Sequence, residues 1–139
     1  GPGVALHVSE TLHANLGERY RISPTMAAMV KQGVRNFYVK NDDGSFGANP
    51  AALALIHKGD SPSTAEQVRS RALTALAVEA RMMLDEGVVS TPAEIDLCML
   101  MGAGWPMHLG GILPYLDREG ISEAACGQRF HPKAVASLP

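Results

Sequence analysis

The longest regular pattern in the sequence runs from residue 63 to residue 87. Apolar residues recur there at every third or fourth position, the spacing that places them on one face of an α-helix. Ser63 with Glu66 has the form of an N-terminal capping box, and Gly87 has the position of a C-terminal cap. The pattern predicts one long helix whose buried stripe is Val68, Ala72, Leu76, Ala80 and Met83, widened by Leu73, Ala77 and Leu84.

Shorter helices are predicted on both sides of this one. Each combines apolar residues at helical spacing with a cap, such as Ser23-Pro24 at the start of one and Thr91-Pro92 at the start of another. The predicted ranges are 4–16, 24–33, 91–101 and 107–119, with one further short helix in the tail after Gly120.

The segment between these helices has a different character. "NFYV" favours extended structure and "NDDGSFGANP" is dense in turn-forming residues, so we predict an extended arm over 34–40, a loop over 41–50 and a short helix over 51–57. "HKGDSPS" at 57–63 indicates a hinge. We therefore divide the chain into residues 1–59 and 60–139.

Composition agrees with an all-α fold, a helical bundle with one extended arm. Aromatic residues make up only 5% of the 139, so a core of Ala, Leu, Val and Met is expected, which suits close-packed helices better than a β-sandwich. The net charge of −2 predicts no general attraction to nucleic acid or to anionic lipid. The longest apolar run, "AALALI", is too short to span a membrane.

The glycine-rich segment "MGAGWPMHLGGILPYLD" at 101–117 raises the question of a dinucleotide site. It lacks the third glycine of G-x-G-x-x-G and follows a predicted helix rather than a strand, so we interpret it as a structural joint. Gly102 and Gly104 are expected to adopt positive φ and end one helix, and Pro106 is expected to start the next. Gly110 and Gly111 are expected inside that helix, where another segment passes close by. The predicted joint residues are Gly102, Gly104, Trp105, Pro106, Gly110, Gly111 and Asp117.

No other constellation of residues predicts chemistry strongly. The histidines, including His57 and His108, lack neighbours at metal-ligand spacing, and surface or capping roles are preferred for them. A dyad of Cys126 or Ser122 with His131 is conceivable but has no supporting motif. Surface and helix-dipole roles account for the carboxylates of Asp96, Asp117 and Glu119. The two cysteines, Cys98 and Cys126, are expected to be reduced thiols of a cytoplasmic protein.

The stretch "EARMMLDEGVVSTPAEIDLCMLMGAGWPMHLGGILPYLD" resembles the C-terminal helical domain of the 3-hydroxyacyl-CoA dehydrogenase family. It is most similar to the second copy of that domain in multifunctional fatty-acid oxidation α-subunits. The matching positions are Glu86-Gly87-Val88, Pro92, Ile95-Asp96, the glycine joint and Asp117. Residues 1–59 resemble the end of the first copy and its closing arm, although "VRN" stands where the family has glycines before Phe37 and Tyr38. The tail "GQRFHPKAVASLP" resembles the end of the family's domain, and the helix before it is shorter than usual.

The resemblance implies that this chain is part of a longer enzyme that oxidises 3-hydroxyacyl-CoA with NAD during fatty-acid β-oxidation. The family's NAD-binding Rossmann domain and its catalytic His–Glu pair lie upstream, so no catalytic or cofactor-binding residue is assigned here and no cofactor is expected to bind this fragment. Expected partners are that Rossmann domain, a second copy of the chain, a thiolase subunit and, in the parent, the acyl-CoA substrate. The alternative is a stand-alone helical protein-interaction module without catalysis.

Overall fold

The computed structural model describes residues 1–56 and 60–136. The chain divides into two compact units, Gly1–Pro62 and Ser63–Pro139. Both units are built mainly of helices, and the strands in the described ranges form only a small two-stranded sheet. The all-α prediction is therefore confirmed, whereas the assignment of the two parts to two copies of one domain stays a prediction.

The first unit begins with two helices that pack on each other. Helix α1 spans Pro2–Leu16 and is followed by a 3-10 turn at Gly17–Arg19, and α2 spans Pro24–Lys31. Ser23 caps α2 as predicted, because its hydroxyl accepts a hydrogen bond from the backbone N–H of Met26 at 3.3 Å. Met29 is fully buried.

The apolar stripe of α1 is not buried in this unit. Val4 is 70% exposed, and Val8 and Leu16 are also exposed, as is Val30 on α2. The spacing that predicts the helix is present, but the other described residues of this unit leave these side chains uncovered.

The predicted arm is a β-hairpin. Strand β1 (Tyr38–Lys40) pairs antiparallel with β2 (Phe46–Ala48), and Tyr38 lies opposite Ala48. The prediction of a loop over 41–50 was therefore wrong at 46–48, because the connection between the strands is confined to residues 41–45, in which Gly44 has φ +86°. Helix α3 (Pro50–Leu53) follows and is shorter than the helix predicted over 51–57. His57 and the start of the predicted hinge lie outside the described residues.

The second unit is organised around one long helix. Helix α4 spans Ala65–Asp85, α5 Pro92–Met101, α6 Ile112–Arg118, α7 Ile121–Cys126 and α8 Lys133–Ala136, with a 3-10 turn at Met107–Leu109. Helix α7 packs on α4, and α6 packs on α5, α7 and α8. The core where these helices meet consists of Leu73, Ala77, Ala80, Ile95, Ile112, Leu113, Leu116 and Phe130.

Two details of α4 differ from the prediction. The cap is Thr64 rather than Ser63: its hydroxyl accepts from Gln67 N at 3.2 Å, and the Gln67 side chain accepts from Thr64 N at 2.8 Å, which completes a capping box one residue later. The buried face is also rotated, since Leu73 and Ala77 are buried whereas Val68 and Leu76 are exposed. Apolar residues lie on several sides of this helix, so periodicity alone did not select the side that packs.

Candidate functional site

The glycine joint connects α5 to α6. Four glycines, two prolines and the one tryptophan of the sequence lie in the segment 101–117 that contains it. Helix α5 ends at Gly102, which has φ −102°, so the prediction of a positive φ there was wrong. Gly104 does have a positive φ, +72°. A Cβ at position 102 would lie 2.9 Å from the carbonyl oxygen of Cys98, so a larger residue there would require a small shift of the backbone.

Neither Gly110 nor Gly111 lies inside a helix, contrary to the prediction. Pro106 precedes the 3-10 turn at Met107–Leu109, Gly110 ends that turn with φ +75°, and Gly111 is the N-cap residue of α6. The longer helix predicted from residue 107 is therefore split, because the backbone reverses at Gly110 in a conformation that L side chains avoid. The joint thereby places the start of α6 against α5.

Asp96 on α5 supplies the cap that α6 lacks. Gly111 has no side chain with which to cap the helix, and the Asp96 Oδ1 atom accepts the backbone N–H of Leu113 at 2.8 Å. A Cβ on Gly111 would lie 2.5 Å from Asp96 Cγ, so the carboxylate reaches the helix only because position 111 is glycine. A carboxylate at a helix N-terminus satisfies a free N–H group and interacts favourably with the helix dipole.

Asp117, at the other end of α6, is a buried carboxylate that holds the tail of the chain. It is 2% exposed, so the surface role that we expected for it was wrong. Its Oδ1 accepts from Ser122 Oγ at 2.5 Å and from Phe130 N at 3.0 Å, and its Oδ2 accepts from His131 N at 2.8 Å. Its backbone carbonyl accepts from Arg129 Nη1 at 3.0 Å. Three donors compensate the buried negative charge, which would otherwise be costly.

His131 links the two carboxylates. Its backbone N–H donates to Asp117, and its ring Nε2 lies 2.8 Å from Asp96 Oδ2. The side chains of His131 and Asp96 are largely buried. One residue of the tail therefore contacts the carboxylate that caps the start of α6 and the carboxylate at its end.

Aromatic side chains cover the same joint. The rings of Trp105 and Tyr115 meet edge to face with centroids 5.3 Å apart, and the guanidinium of Arg118 lies over the Tyr115 ring. Arg118 Nη2 also donates to the carbonyl of Leu109 at 2.7 Å, and Arg69 on α4 donates to the Tyr115 hydroxyl. These contacts fix the 3-10 turn and α6 to the long helix.

The conceivable nucleophile dyad is not supported by this geometry. The Ser122 hydroxyl donates to Asp117, and the His131 ring contacts Asp96, so the two groups are engaged with different carboxylates. Burial raises the pKa of the Cys126 thiol, which lowers its thiolate fraction and opposes a nucleophilic role. Cys98 is exposed. The described residues contain no group of three or more His, Cys, Asp or Glu side chains arranged to hold a metal ion.

The joint also does not fit a dinucleotide. The segment follows helix α5, whereas a dinucleotide site requires a strand before its glycine turn. A pyrophosphate would need the free N–H groups at the start of α6, and the Asp96 carboxylate already occupies that position and would repel it. We therefore place no step of a reaction at this joint.

Sequence reasoning named the joint glycines but missed the residues that hold them. Ser122, which was considered as part of a dyad, lies inside α7 and bonds to Asp117. A helix-dipole role was expected for Asp96, but its cap on α6 and its contact with His131 were not predicted. One signal was present in the sequence: a helix that begins after glycine, with no Ser, Thr, Asp or Asn of its own, requires a cap from elsewhere.

In the described part of the chain, no helix is both long and apolar enough to cross a membrane. No protein-family model and no solved structure matches the chain significantly. Curated proteins similar to it include two named fatty acid oxidation complex subunit alpha. The one from Acinetobacter baylyi is 38% identical over 69 residues, which cover 48% of this chain and 10% of that protein. The one from Shewanella amazonensis is 26% identical over 153 aligned positions, which cover 97% of this chain and 22% of that protein.

These similarities confirm the resemblance inferred from the sequence, since nearly the whole chain is similar to part of a fatty acid oxidation complex subunit alpha. The chain spans only about a tenth to a fifth of the length of these relatives.

Proposed function

We propose that the chain is the C-terminal helical part of an NAD-dependent 3-hydroxyacyl-CoA dehydrogenase of fatty-acid β-oxidation. The observation that carries this proposal is the similarity to a fatty acid oxidation complex subunit alpha over 97% of the chain. The glycine joint adds support, because its residues form one connected helix–helix joint of the kind that the resemblance implies.

The role proposed for the chain is packing rather than chemistry. The polar groups of the joint are bonded to one another: Asp96 caps α6, Asp117 holds the tail and His131 joins the two. Groups engaged in this way are suited to a rigid scaffold and not to proton transfer with a substrate. The exposed apolar residues of α1 and of the hairpin, such as Val4 and Phe46, are suited to contact with other parts of a larger assembly.

In this proposal, other parts of the parent protein hold NAD and carry the catalytic residues. The helical part would form one wall of the cleft for the acyl-CoA and would contribute to interfaces with the Rossmann domain, with a second copy and with a thiolase subunit. A cytoplasmic location accords with such an enzyme.

The coding sequence upstream of Val4 tests the proposal directly. A strand–G-x-G-x-x-G–helix unit encoded there supports the dehydrogenase, whereas a start codon near Val4 supports the stand-alone interaction module. The protein made from the full reading frame is expected to form NADH from 3-hydroxybutyryl-CoA and NAD, and the 139-residue chain is expected to form none. Turnover by the 139-residue chain alone would contradict the assignment of the catalytic residues to another part of the parent.

A further inference from the structure

The connection between β1 and β2 contains the one Asp-Gly pair of the sequence, Asp43-Gly44. Both residues are exposed, and Gly44 has a φ of +86°, a conformation that favours glycine. An aspartate followed by glycine is chemically labile, because the glycine has no Cβ to hinder attack of its backbone nitrogen on the aspartate side chain. The pair is therefore a candidate site of spontaneous covalent modification.

The modification that this chemistry allows is isomerisation of Asp43 to isoaspartate. The backbone nitrogen of Gly44 bonds to Cγ of Asp43, the carboxyl group loses its OH, and the N–H proton leaves with that OH as water, so that a succinimide ring forms. Water then attacks the backbone carbonyl carbon of residue 43 and breaks its bond to the nitrogen. The chain now continues through Cβ and Cγ, and the former backbone carbonyl is a free carboxylate. One water is released and one is taken up, so the reaction requires no other reactant.

Contacts within the connection oppose this reaction, and Ser45 makes two of them. Its hydroxyl donates to Oδ1 of Asp43 at 2.6 Å, and its backbone N–H donates to the same oxygen at 2.9 Å. The hydroxyl first, and then the backbone N–H, hold the pKa of the Asp43 carboxyl below its usual range. An ionised carboxylate cannot release an oxygen as water, so these contacts lower the fraction of Asp43 that is able to react.

Asn41 restrains both the serine hydroxyl and the attacking nitrogen. Its Nδ2 donates to Ser45 Oγ at 2.9 Å, which leaves the hydroxyl proton for Asp43. Its backbone carbonyl accepts from the Gly44 N–H at 3.0 Å. Ring closure removes the proton of that N–H and therefore breaks this bond. The folded connection thus holds both reacting groups in contacts that the reaction has to disrupt.

We propose that Asp43 is a site of isoaspartate formation and that the Ser45 hydroxyl protects it while the hairpin is folded. The isomer lengthens the backbone of the connection by one atom. Because the length of a hairpin connection sets the register of its strands, the isomer would disturb the pairing of Tyr38 with Ala48. The inference is independent of the proposed function, because it depends on this connection alone.

Prolonged incubation of the 139-residue protein at body temperature and neutral pH tests the proposal. Methyl transfer from S-adenosylmethionine by an isoaspartyl methyltransferase counts the isomer, and mass spectrometry of the tryptic peptide locates it at residue 43. Ser45→Ala is expected to form isoaspartate about three- to tenfold faster than the wild type, the change that one lost hydrogen bond produces. Ser45→Thr keeps the hydroxyl and is expected to keep the wild-type rate. The matched control is Ser63→Ala, the same change at an exposed serine of the second unit.

The same measurement in urea separates the site from its protection. The unfolded wild type is expected to form isoaspartate faster than the folded protein and at the rate of unfolded Ser45→Ala, because the hydroxyl contact is then absent. Asp43→Glu is expected to form almost none, because the longer side chain closes a ring far more slowly. An unfolded wild type without isoaspartate at residue 43 would overturn the site. A folded Ser45→Ala that reacts at the wild-type rate, or a difference between the two that persists in urea, would overturn the protection. None of these outcomes depends on whether the parent oxidises acyl-CoA.

Discussion

Replacing Asp117 by asparagine tests whether the buried carboxylate holds the second unit together. The two side chains have nearly the same shape, so the change alters charge and hydrogen-bond capacity without leaving a cavity. Oδ1 of the aspartate accepts two hydrogen bonds and Oδ2 accepts one, from His131 N. The asparagine keeps one oxygen, and its NH2 group then faces the N–H of Phe130 or of His131. Both groups are donors, so no hydrogen bond can form between them.

The magnitude follows from these contacts. One hydrogen bond to a charged acceptor is lost, a change of about 1.5–3 kcal/mol, and a buried N–H is left unpaired. The bonds kept by the oxygen fall from charged to neutral strength, a further loss of about 1 kcal/mol each. Relief of the desolvation of a buried charge offsets part of this loss. We expect Asp117→Asn to lower the free energy of unfolding of the second unit by about 2–4 kcal/mol.

Urea denaturation followed by tryptophan fluorescence measures this effect, because the single tryptophan, Trp105, lies in the joint. The matched control is Glu119→Gln, the same chemical change two residues later, where the carboxylate is half exposed and lies 3.8 Å from Arg69. That exposed ion pair is expected to contribute at most about 1 kcal/mol. If the two variants unfold at the same urea concentration, the reasoning that Asp117 is the anchor of the tail is refuted.

Two further substitutions test local details of the second unit by the same urea measurement. Thr64→Ala is expected to lower the free energy of unfolding by about 1 kcal/mol through loss of the cap, whereas Ser63→Ala should have almost no effect; the reverse order would place the cap at residue 63. Gly111→Ala is expected to cost about 1–3 kcal/mol, because its Cβ would overlap the Asp96 carboxylate. A urea midpoint for Gly111→Ala equal to that of the wild type would argue against the overlap.

The helices were predictable from the sequence because their signals are local. Ser23 with Pro24 marks the start of α2, and Gly87, with φ +70°, follows α4 as predicted. The strand at Phe46–Ala48 was missed because its residues lie among turn formers and include Gly47, so its only support is the pairing with β1. Local composition does not predict that pairing.

The face on which a helix packs was less predictable than the helix itself. On α4, Val68 and Leu73 are both apolar, and only the packing of other elements on α4 decides that Leu73 is the buried one. The same limit applies to the joint. Asp117 contacts residues 5 to 14 positions away in separate elements, and Asp96 contacts His131 across 35 positions, so neither could be read from spacing.

The cap that Asp96 of α5 supplies to α6 makes the stability of this helix depend on its neighbours. Helix α6 has only seven residues, and isolated helices shorter than about 12–15 residues are marginal in water. Its first turn is completed by Asp96 from α5, and its last turn is fastened to the tail through Asp117. We therefore expect α6 to be stable only once α5 and the tail are in place, so a substitution that frees the tail should also destabilise α6 and the start of the joint.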